Sequence, residues 1–467
     1  MTDRSSSIPV GRLRRGAKVG GLLGLETAKT YATKAANVTR SEQARSAATE
    51  RRRLEAAEHL AEVLGQLKGA VMKAGQMASL MDFNGLSTGD LEAFQARFDD
   101  LRDSAPRVPF KDMQKVIEAE LGKRISDVFC EFDREAAAAA SIGQVYRARL
   151  HDGRRVAVKV QYPGVTAAVR ADLQNLGLLM RAAKRFAPGL DAAAIASEIR
   201  ERITEELDYE HEAQTQRAFA RRWHGHPFIV VPDVVTALCR ERVLVTEWVD
   251  GIAFDRLKNT SRATRDRVGE IVFRFFFGSL YRFGQFSGDP HPGNFLLLED
   301  GRVAFLDFGM TKTVPPTKVD AELAVLRAGL DGDAARVHAG LAALGFFDTA
   351  DPRVDADRLL EHVRALNRWY ADDEPITLSP DYVSQLILHA GDPRSEYWDL
   401  MRHETLPADS LLSNRMQGMT LAVIGQLRTT ANWHRIMCEW LYGSAPSSPL
   451  GRADAEFFQP APIRRVA

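Results

Sequence analysis

Gly288-Asp289-Pro290-His291-Pro292-Gly293-Asn294, followed by Asp307-Phe308-Gly309, decides how this chain is read. Asp307 lies eighteen residues after Asp289. Asp289 stands where a base or positioning carboxylate would stand. Asn294 and Asp307 are oxygen ligands of the kind magnesium takes when substrate phosphates complete its coordination. Between them, residues 295–298 and 303–306 read as two short apolar strands. Glu299-Asp300-Gly301-Arg302 joins them with hairpin turn chemistry. Such a hairpin would fix both metal ligands on one rigid element.

The rest of the composition narrows what that site can serve. The chain has 467 residues, of which 45% are hydrophobic, enough for two to three domains or one large two-lobed unit with a sizeable core. Lys plus Arg and Asp plus Glu both number 62, so no global charge argues for a nucleic acid partner. The three cysteines, Cys130, Cys239 and Cys438, are far apart and show no metal-ligand spacing. That pattern fits a reducing compartment and small buried hydrophobes. No apolar run is long enough for a transmembrane helix. The most apolar window, 268–286, is broken by Glu270, Arg274 and Arg282 and reads as a buried helix. Residues 20–25 are too short an apolar core for a signal peptide. The basic start, with Arg4, Arg12, Arg14, Arg15 and Lys18 against Asp3, reads as a transit or membrane-surface arm, or as a disordered terminus.

Along the chain, the spacing of Leu54, Leu60, Val63, Leu64, Leu67, Val71 and Met72 predicts a helix over 50–80, with further helices over 90–101 and 111–121. Strand chemistry follows at 142–150 and 155–161, around the hairpin signal His151-Asp152-Gly153-Arg154. Residues 165–220 read as helical, 228–235 and 242–249 as strands, and 316–440 as mainly helical. The tail from Ser444, rich in Pro, Ser and Arg, is expected to be disordered. The implied division is a basic arm (1–49), a helical extension (50–130), a small mixed lobe (131–250), a helical lobe (251–443) and the tail (444–467). The fold class is α+β.

Val156-Ala157-Val158-Lys159 places a lysine on an apolar strand. In the protein-kinase plan such a lysine contacts the first phosphates of the nucleotide and pairs with a helical glutamate. Glu212 is the candidate partner, 53 residues on, with an inserted helical pair filling the excess. No Gly-rich phosphate loop precedes the strand. Ala136-Ala137-Ala138-Ala139-Ala140-Ser141 stands there instead. Alanine does not share glycine's freedom at positive φ, so contacts from its backbone and from Ser141 would be stiffer. Taken alone, Lys73 reads as a solvated helix lysine, and the acidic run 205–212 as a solvated helix face.

In order, these motifs resemble the UbiB/AarF-like atypical kinase family, over roughly residues 50–350. Lys73-Ala74-Gly75-Gln76 matches its K-x-G-Q motif, Ala138-Ala139-Ala140-Ser141-Ile142-Gly143-Gln144 its Ala-rich loop, and Glu206-Leu207-Asp208 its E-x-D motif. Thr246-Glu247-Trp248-Val249-Asp250-Gly251 resembles the hinge that holds adenine, through Glu247 and Val249. The resemblance implies a kinase-like two-lobed fold, ATP with Mg²⁺, and a K-x-G-Q helix lying as a lid over the phosphates. Lys73 and Gln76 would then face Glu206 and Asp208, alongside Lys159 and Asp289. Two features agree with an acceptor other than a protein. No Ala-Pro-Glu signature follows Asp307-Phe308-Gly309, and Gly288 replaces the arginine of regulated protein kinases. The family implies isoprenoid lipid or quinone-biosynthesis proteins as partners, with a cytoplasmic location and peripheral contact at the inner membrane face. A small-molecule phosphotransferase of the aminoglycoside or choline kinase type shares the Gly-Asp-x-His-Pro-Gly-Asn loop but lacks K-x-G-Q. A non-catalytic, nucleotide-gated scaffold is the third reading.

Overall fold

The computed structural model describes residues 108–167, 169–170, 173, 192–391, 395–401 and 403–459. The arm, the helices expected over 50–101, and Lys73 and Gln76 with them, lie outside the described residues. In chain order the main elements are α1 (Phe110–Leu121), β1 (Phe129–Phe132), β2 (Ala138–Ala139), β3 (Gly143–Leu150), β4 (Arg155–Gln161), α2 (Ala192–Glu206), α3 (Tyr209–Arg222), β5 (Ile229–Val230) and β6 (Val243–Glu247). They continue with α4 (Arg262–Phe283), β7 (Gln285–Ser287), β8 (Phe295–Leu297), β9 (Val303–Phe305), β10 (Thr311–Thr313), α5 (Pro316–Asp331), α6 (Ala334–Ala343), α7 (Ala356–Leu366), α8 (Leu411–Leu427), α9 (Trp433–Leu441) and α10 (Pro449–Phe458). The described chain forms two units. The first ends at Glu210 and takes in Val235–Val245 and Gly391–Ser395, and the second holds the remainder.

In the first unit a sheet runs β1-β3-β4-β6, with β2 paired antiparallel to β3. The expected hairpin of β3 and β4 forms with Gly143 opposite Gln161 and Val145 opposite Lys159. Its turn works because Gly153 takes φ 88° and the Asp152 carboxylate accepts from the Arg154 N–H at 3.0 Å. Alternation along β4 sends Val156, Val158 and Val160 into a core with Met113, Val116, Ile117 and Leu121 of α1. Helix α1, which the sequence division put in the extension, therefore shares the core of this sheet. Lys159 lies on the opposite face of β4, half-buried.

In the second unit the strands form three small sheets, one of them the pair Ile376–Thr377 and Thr430–Ala431. β8 and β9 are the expected hairpin, pairing Phe295 with Phe305, and β5 adds parallel to β9. β7 pairs with β10, Ser287 opposite Thr311. The apolar window predicted as a buried helix is α4, with Phe273, Phe275, Phe276 and Phe277 in the core. Arg274 is 1% exposed within it, bonded to Glu270 at 2.8 Å and Glu439 at 2.7 Å. A buried arginine needs that compensation.

Three expectations need correction. The strand expected over 228–235 is only Ile229–Val230, with a single further bridge from Val234 to Thr246. Pro232 between them has no N–H to give a ladder. The helix expected to run unbroken through 205–212 ends at Glu206 and restarts at Tyr209. There Asp208 Oδ1 accepts from the Glu210 N–H at 2.9 Å, a side-chain turn that competes with helix. The tail is not wholly irregular, because Pro449–Phe458 is helical. Ser448 caps it, accepting from the Gly451 N–H at 2.9 Å, and Pro449 occupies its first turn. Asp454 is buried and takes hydrogen bonds from His226 at 3.1 Å and Arg282 at 2.7 Å. Composition suggested disorder there, and this local start signal together with these partners overrides it.

Candidate active site

The second unit assembles the segment around Asp289, Asn294 and Asp307 from three strand ends. Ser287 closes β7, Asn294 precedes β8 and Asp307 follows β9. The backbone is held on both sides of Asp289. The Gly288 N–H donates to Met310 O at 2.6 Å, and the Asn294 N–H donates to His291 O at 2.9 Å. His291 caps the short turn Pro292–Asn294. Its Nδ1 accepts from the Gly293 N–H at 3.0 Å and shapes the loop, as a single histidine between prolines would.

Asn294 Nδ2 donates to Asp289 O at 3.1 Å and to Asp289 Oδ2 at 3.3 Å. This assigns the amide, and turns Oδ1 of Asn294 away from Asp289 as a neutral oxygen for a hard cation. Asp307 is half-buried. Its Oδ1 accepts from the Gly309 N–H at 3.1 Å, and its main-chain oxygen accepts from Ser287 Oγ at 3.3 Å. Phe308 anchors this turn, fully buried with ring centroids 4.9 Å from Phe219 of α3 and 6.4 Å from Phe275 of α4. One amide and one carboxylate fit magnesium, which retains waters and phosphate oxygens for its other positions. Among the described residues no group of three His, Cys, Asp or Glu side chains forms a metal cage. The donor set therefore suits a cation that arrives with a phosphorylated ligand.

Arg415 is not singled out by the residues around it. On α8, 126 residues beyond Asp289, its Nη2 donates to Asp289 Oδ1 at 3.0 Å and its Nε donates to Gly288 O at 3.2 Å. Arg415 is 4% exposed and Asp289 8%. The cation that Gly288 cannot supply thus comes from a distant helix. Gly288 is also required sterically, since a Cβ there would fall 2.5 Å from Leu412 of the same helix. The only sequence signal was the missing arginine beside Asp289, and it does not say where the replacement lies.

The first unit carries Ala138, Ala139, Ala140, Ser141, Lys159, Glu206 and Asp208. Ala138 and Ala139 are not a helix end. They are exposed and pair with Val145 and Gln144 of β3, and Ala140 and Gly143 close the turn through mutual backbone bonds. Ser141 Oγ donates to Glu206 Oε1 at 3.1 Å, so the Ala-rich loop is tied to the E-x-D segment. Glu206 is buried, 6% exposed, and Asp208 is half-buried with Oδ1 on the Glu210 N–H. Lys159 Nζ stands 5.0 Å from the centroid of the Tyr209 ring.

Glu212 lies in the first turn of α3, in the second unit, and is fully buried. Glu247, at the end of β6, is exposed. Its N–H donates to Asp233 O at 2.9 Å and its Oε2 accepts from the Asp233 N–H at 3.1 Å. Half-buried Val249 follows it, next to Trp248, whose Nε1 donates to Asp250 at 2.7 Å.

Comparison with known proteins bears directly on these motifs. Residues 100–340 match the model of the ABC1 atypical kinase-like domain. The chain is 33% identical to the rat mitochondrial atypical kinase COQ8B over 379 residues, covering 79% of this chain and 70% of that protein. It is 30% identical to the Caenorhabditis elegans mitochondrial atypical kinase coq-8 over 340 residues, 71% of this chain and 44% of that one. Among solved structures, a Mycobacterium tuberculosis protein described as the complex of Rv3197 with erythromycin is similar at a TM-score of 0.61 and 30% identity. The match covers 83% of this chain and 96% of that one.

Proposed function

Because the chain belongs to the ABC1 atypical kinase-like family, with the kinase-like α+β fold, we propose that it is an ATP- and Mg²⁺-dependent phosphotransferase or ATPase supporting isoprenoid quinone biosynthesis or membrane lipid homeostasis. The observation that carries this reading is the Asp289, Asn294 and Asp307 arrangement, in which a buried arginine orients the acid and one hairpin carries an amide and a carboxylate of the kind magnesium takes. Bound magnesium would neutralise phosphate charge. Asn294 and Asp307 are the residues that would hold it.

Asp289 is the group that would accept or position the acceptor's proton, and Arg415 keeps its carboxylate in one orientation. Lys159, with Glu212 as its helical acid, serves the nucleotide phosphates. The backbone of 138–141 and the Ser141 hydroxyl serve the same group, and Glu247 and Val249 the adenine. Lys73 and Gln76, with Glu206 and Asp208, form the polar lining of the lid that the family resemblance implies. The membrane contact in this reading is peripheral, at the cytoplasmic side of the inner membrane, and no helix of the described residues is long and apolar enough to cross a membrane. The partners are isoprenoid lipids or quinone-biosynthesis proteins.

Purified protein should hydrolyse ATP slowly with Mg²⁺, and faster with lipid vesicles or a phenol resembling a quinone precursor. Asp307→Asn should remove nucleotide binding and cellular function together. Absence of nucleotide binding at millimolar ATP would overturn the reading, as would full cellular function in Asp307→Asn. A phosphorylated small alcohol formed at ordinary enzymatic turnover would instead favour a metabolite kinase.

A further inference from the structure

The break between α2 and α3 is tied to the strand that carries Lys159. Gln161, fully buried two residues after Lys159, donates Nε2 to Leu207 O at 2.7 Å and to Glu241 O at 3.3 Å. The Tyr209 N–H donates to the same Glu241 O at 2.9 Å. The backbone at Tyr209 is thereby fixed against the end of β4. Its ring is fully buried and lies beneath the Lys159 ammonium, 5.0 Å from centroid to Nζ. Gly143 makes room on this side. A Cβ at that position would sit 2.2 Å from Val160 O and 3.1 Å from the Tyr209 hydroxyl.

We propose that Tyr209 is a positioning residue for Lys159, holding the ammonium over its ring face so that it is already aimed when phosphates arrive. The inference rests on the reading of Lys159 as the nucleotide lysine. A lysine stem carries about 2 kcal/mol of rotamer entropy, which an unguided side chain loses on each binding event. A ring face attracts a cation through its quadrupole. The ring takes none of the three N–H donors, so it adds to the helical acid without using a donor that phosphate oxygens need. It therefore orients the lysine without competing with phosphate oxygens.

The test is titration of ATP and of adenosine into the full chain carrying Tyr209→Phe, Tyr209→Leu, Lys159→Met, and Lys159→Met with Tyr209→Leu. Tyr209→Leu should weaken ATP about three- to thirtyfold and leave adenosine unchanged, because only phosphates meet the lysine. Tyr209→Phe keeps the ring and should stay within about twofold of the parent. In the Lys159→Met background Tyr209→Leu should add nothing. Equal weakening of ATP and adenosine would overturn the proposal, as would a further loss in the Lys159→Met background. If Lys159→Met costs ATP affinity but Tyr209→Leu does not, the positioning role fails and the lysine's role stands. If Lys159→Met itself leaves ATP affinity unchanged, both fail. Should Tyr209→Leu not fold, ring-fluorinated phenylalanine at 209, compared with Tyr209→Phe, keeps the ring's shape and weakens its quadrupole without an ionisable phenol, and the same weakening of ATP alone is expected.

Discussion

Replacing Arg415 with methionine isolates the contact that holds the acid in place. The change removes a hydrogen bond of 3.0 Å to Asp289 Oδ1 and one of 3.2 Å to Gly288 O, both at buried atoms. A hydrogen bond to a charged group contributes about 1.5–3 kcal/mol, and a neutral one about 1 kcal/mol. Breaking a buried pair from one side costs about 3–5 kcal/mol in comparable sites, since a charge is left behind. The Asp289 side chain retains 11% exposure and keeps the Asn294 amide, so water and that donor recover part of the loss. The lower end, about 3 kcal/mol, is therefore expected. At roughly 2–4 °C per kcal/mol for a domain of this size class, the second unit should melt about 6–12 °C earlier. Thermal unfolding of Arg415→Met, Asp289→Asn and the double variant, with ATP turnover alongside, separates the terms. The double variant should recover most of the stability, because no unpaired charge remains, and none of the turnover. A shift of a degree or two in Arg415→Met, or a double variant as unstable as the sum of the singles, would refute the argument.

Gly288→Ala should cost about 1–3 kcal/mol through overpacking against Leu412, with part of the loss recovered in a Gly288→Ala, Leu412→Ala double variant. Additive losses measured by chemical unfolding would contradict the contact. Acid should also weaken the chain through His226. Burial pushes its imidazole below the ordinary value, and the Asp454 hydrogen bond opposes this only in part. The unfolded chain then takes up a proton below about pH 6.5 that the folded chain refuses, so stability is full above that pH and falls as pH drops. Burial alone would push the Asp454 carboxyl up, but bonds from His226 and Arg282 hold it below the usual range. Its own contribution is lost only at lower pH, below about 4. His226→Gln should reduce the slope of unfolding free energy between about pH 6.5 and 5 by up to about 1.4 kcal/mol per pH unit. An unchanged slope would remove His226 from the account.

Elements whose signals are local were legible before any coordinates. The β3–β4 hairpin had alternation and a Gly153 turn, the β8–β9 hairpin had Gly301, and α4 had an apolar run too charged for a membrane. The placement of Asn294 and Asp307 at the two ends of that hairpin followed from the same signal. What stayed hidden depends on partners far away in sequence. Nothing in the residues around Arg415 separates it from any helix-face arginine. The acidic run around Glu206 looked like one solvated face because Leu207 and Tyr209 owe their placement to Gln161 and Glu241. Helix α10 was masked by its composition, although Ser448-Pro449 is a helix start that could have been read.

The placement of the Asp289 partner has a consequence for control of the site. In regulated protein kinases an arginine adjacent in sequence to the catalytic acid is the one that meets a phosphorylated activation loop. Here Gly288 removes that option, and Leu412 fills the space its side chain would need. The cation that steadies Asp289 belongs to α8, which also packs along α4 through the core of the second unit. Arg415 is buried and spends its donors on Asp289 and Gly288, so it is not placed to receive a phosphate. The orientation of the acid is thus set by folding of the helical core and not by a modification on a loop. A site built this way responds to ligands and to changes in the packing of α8. Loop phosphorylation would not act through Arg415.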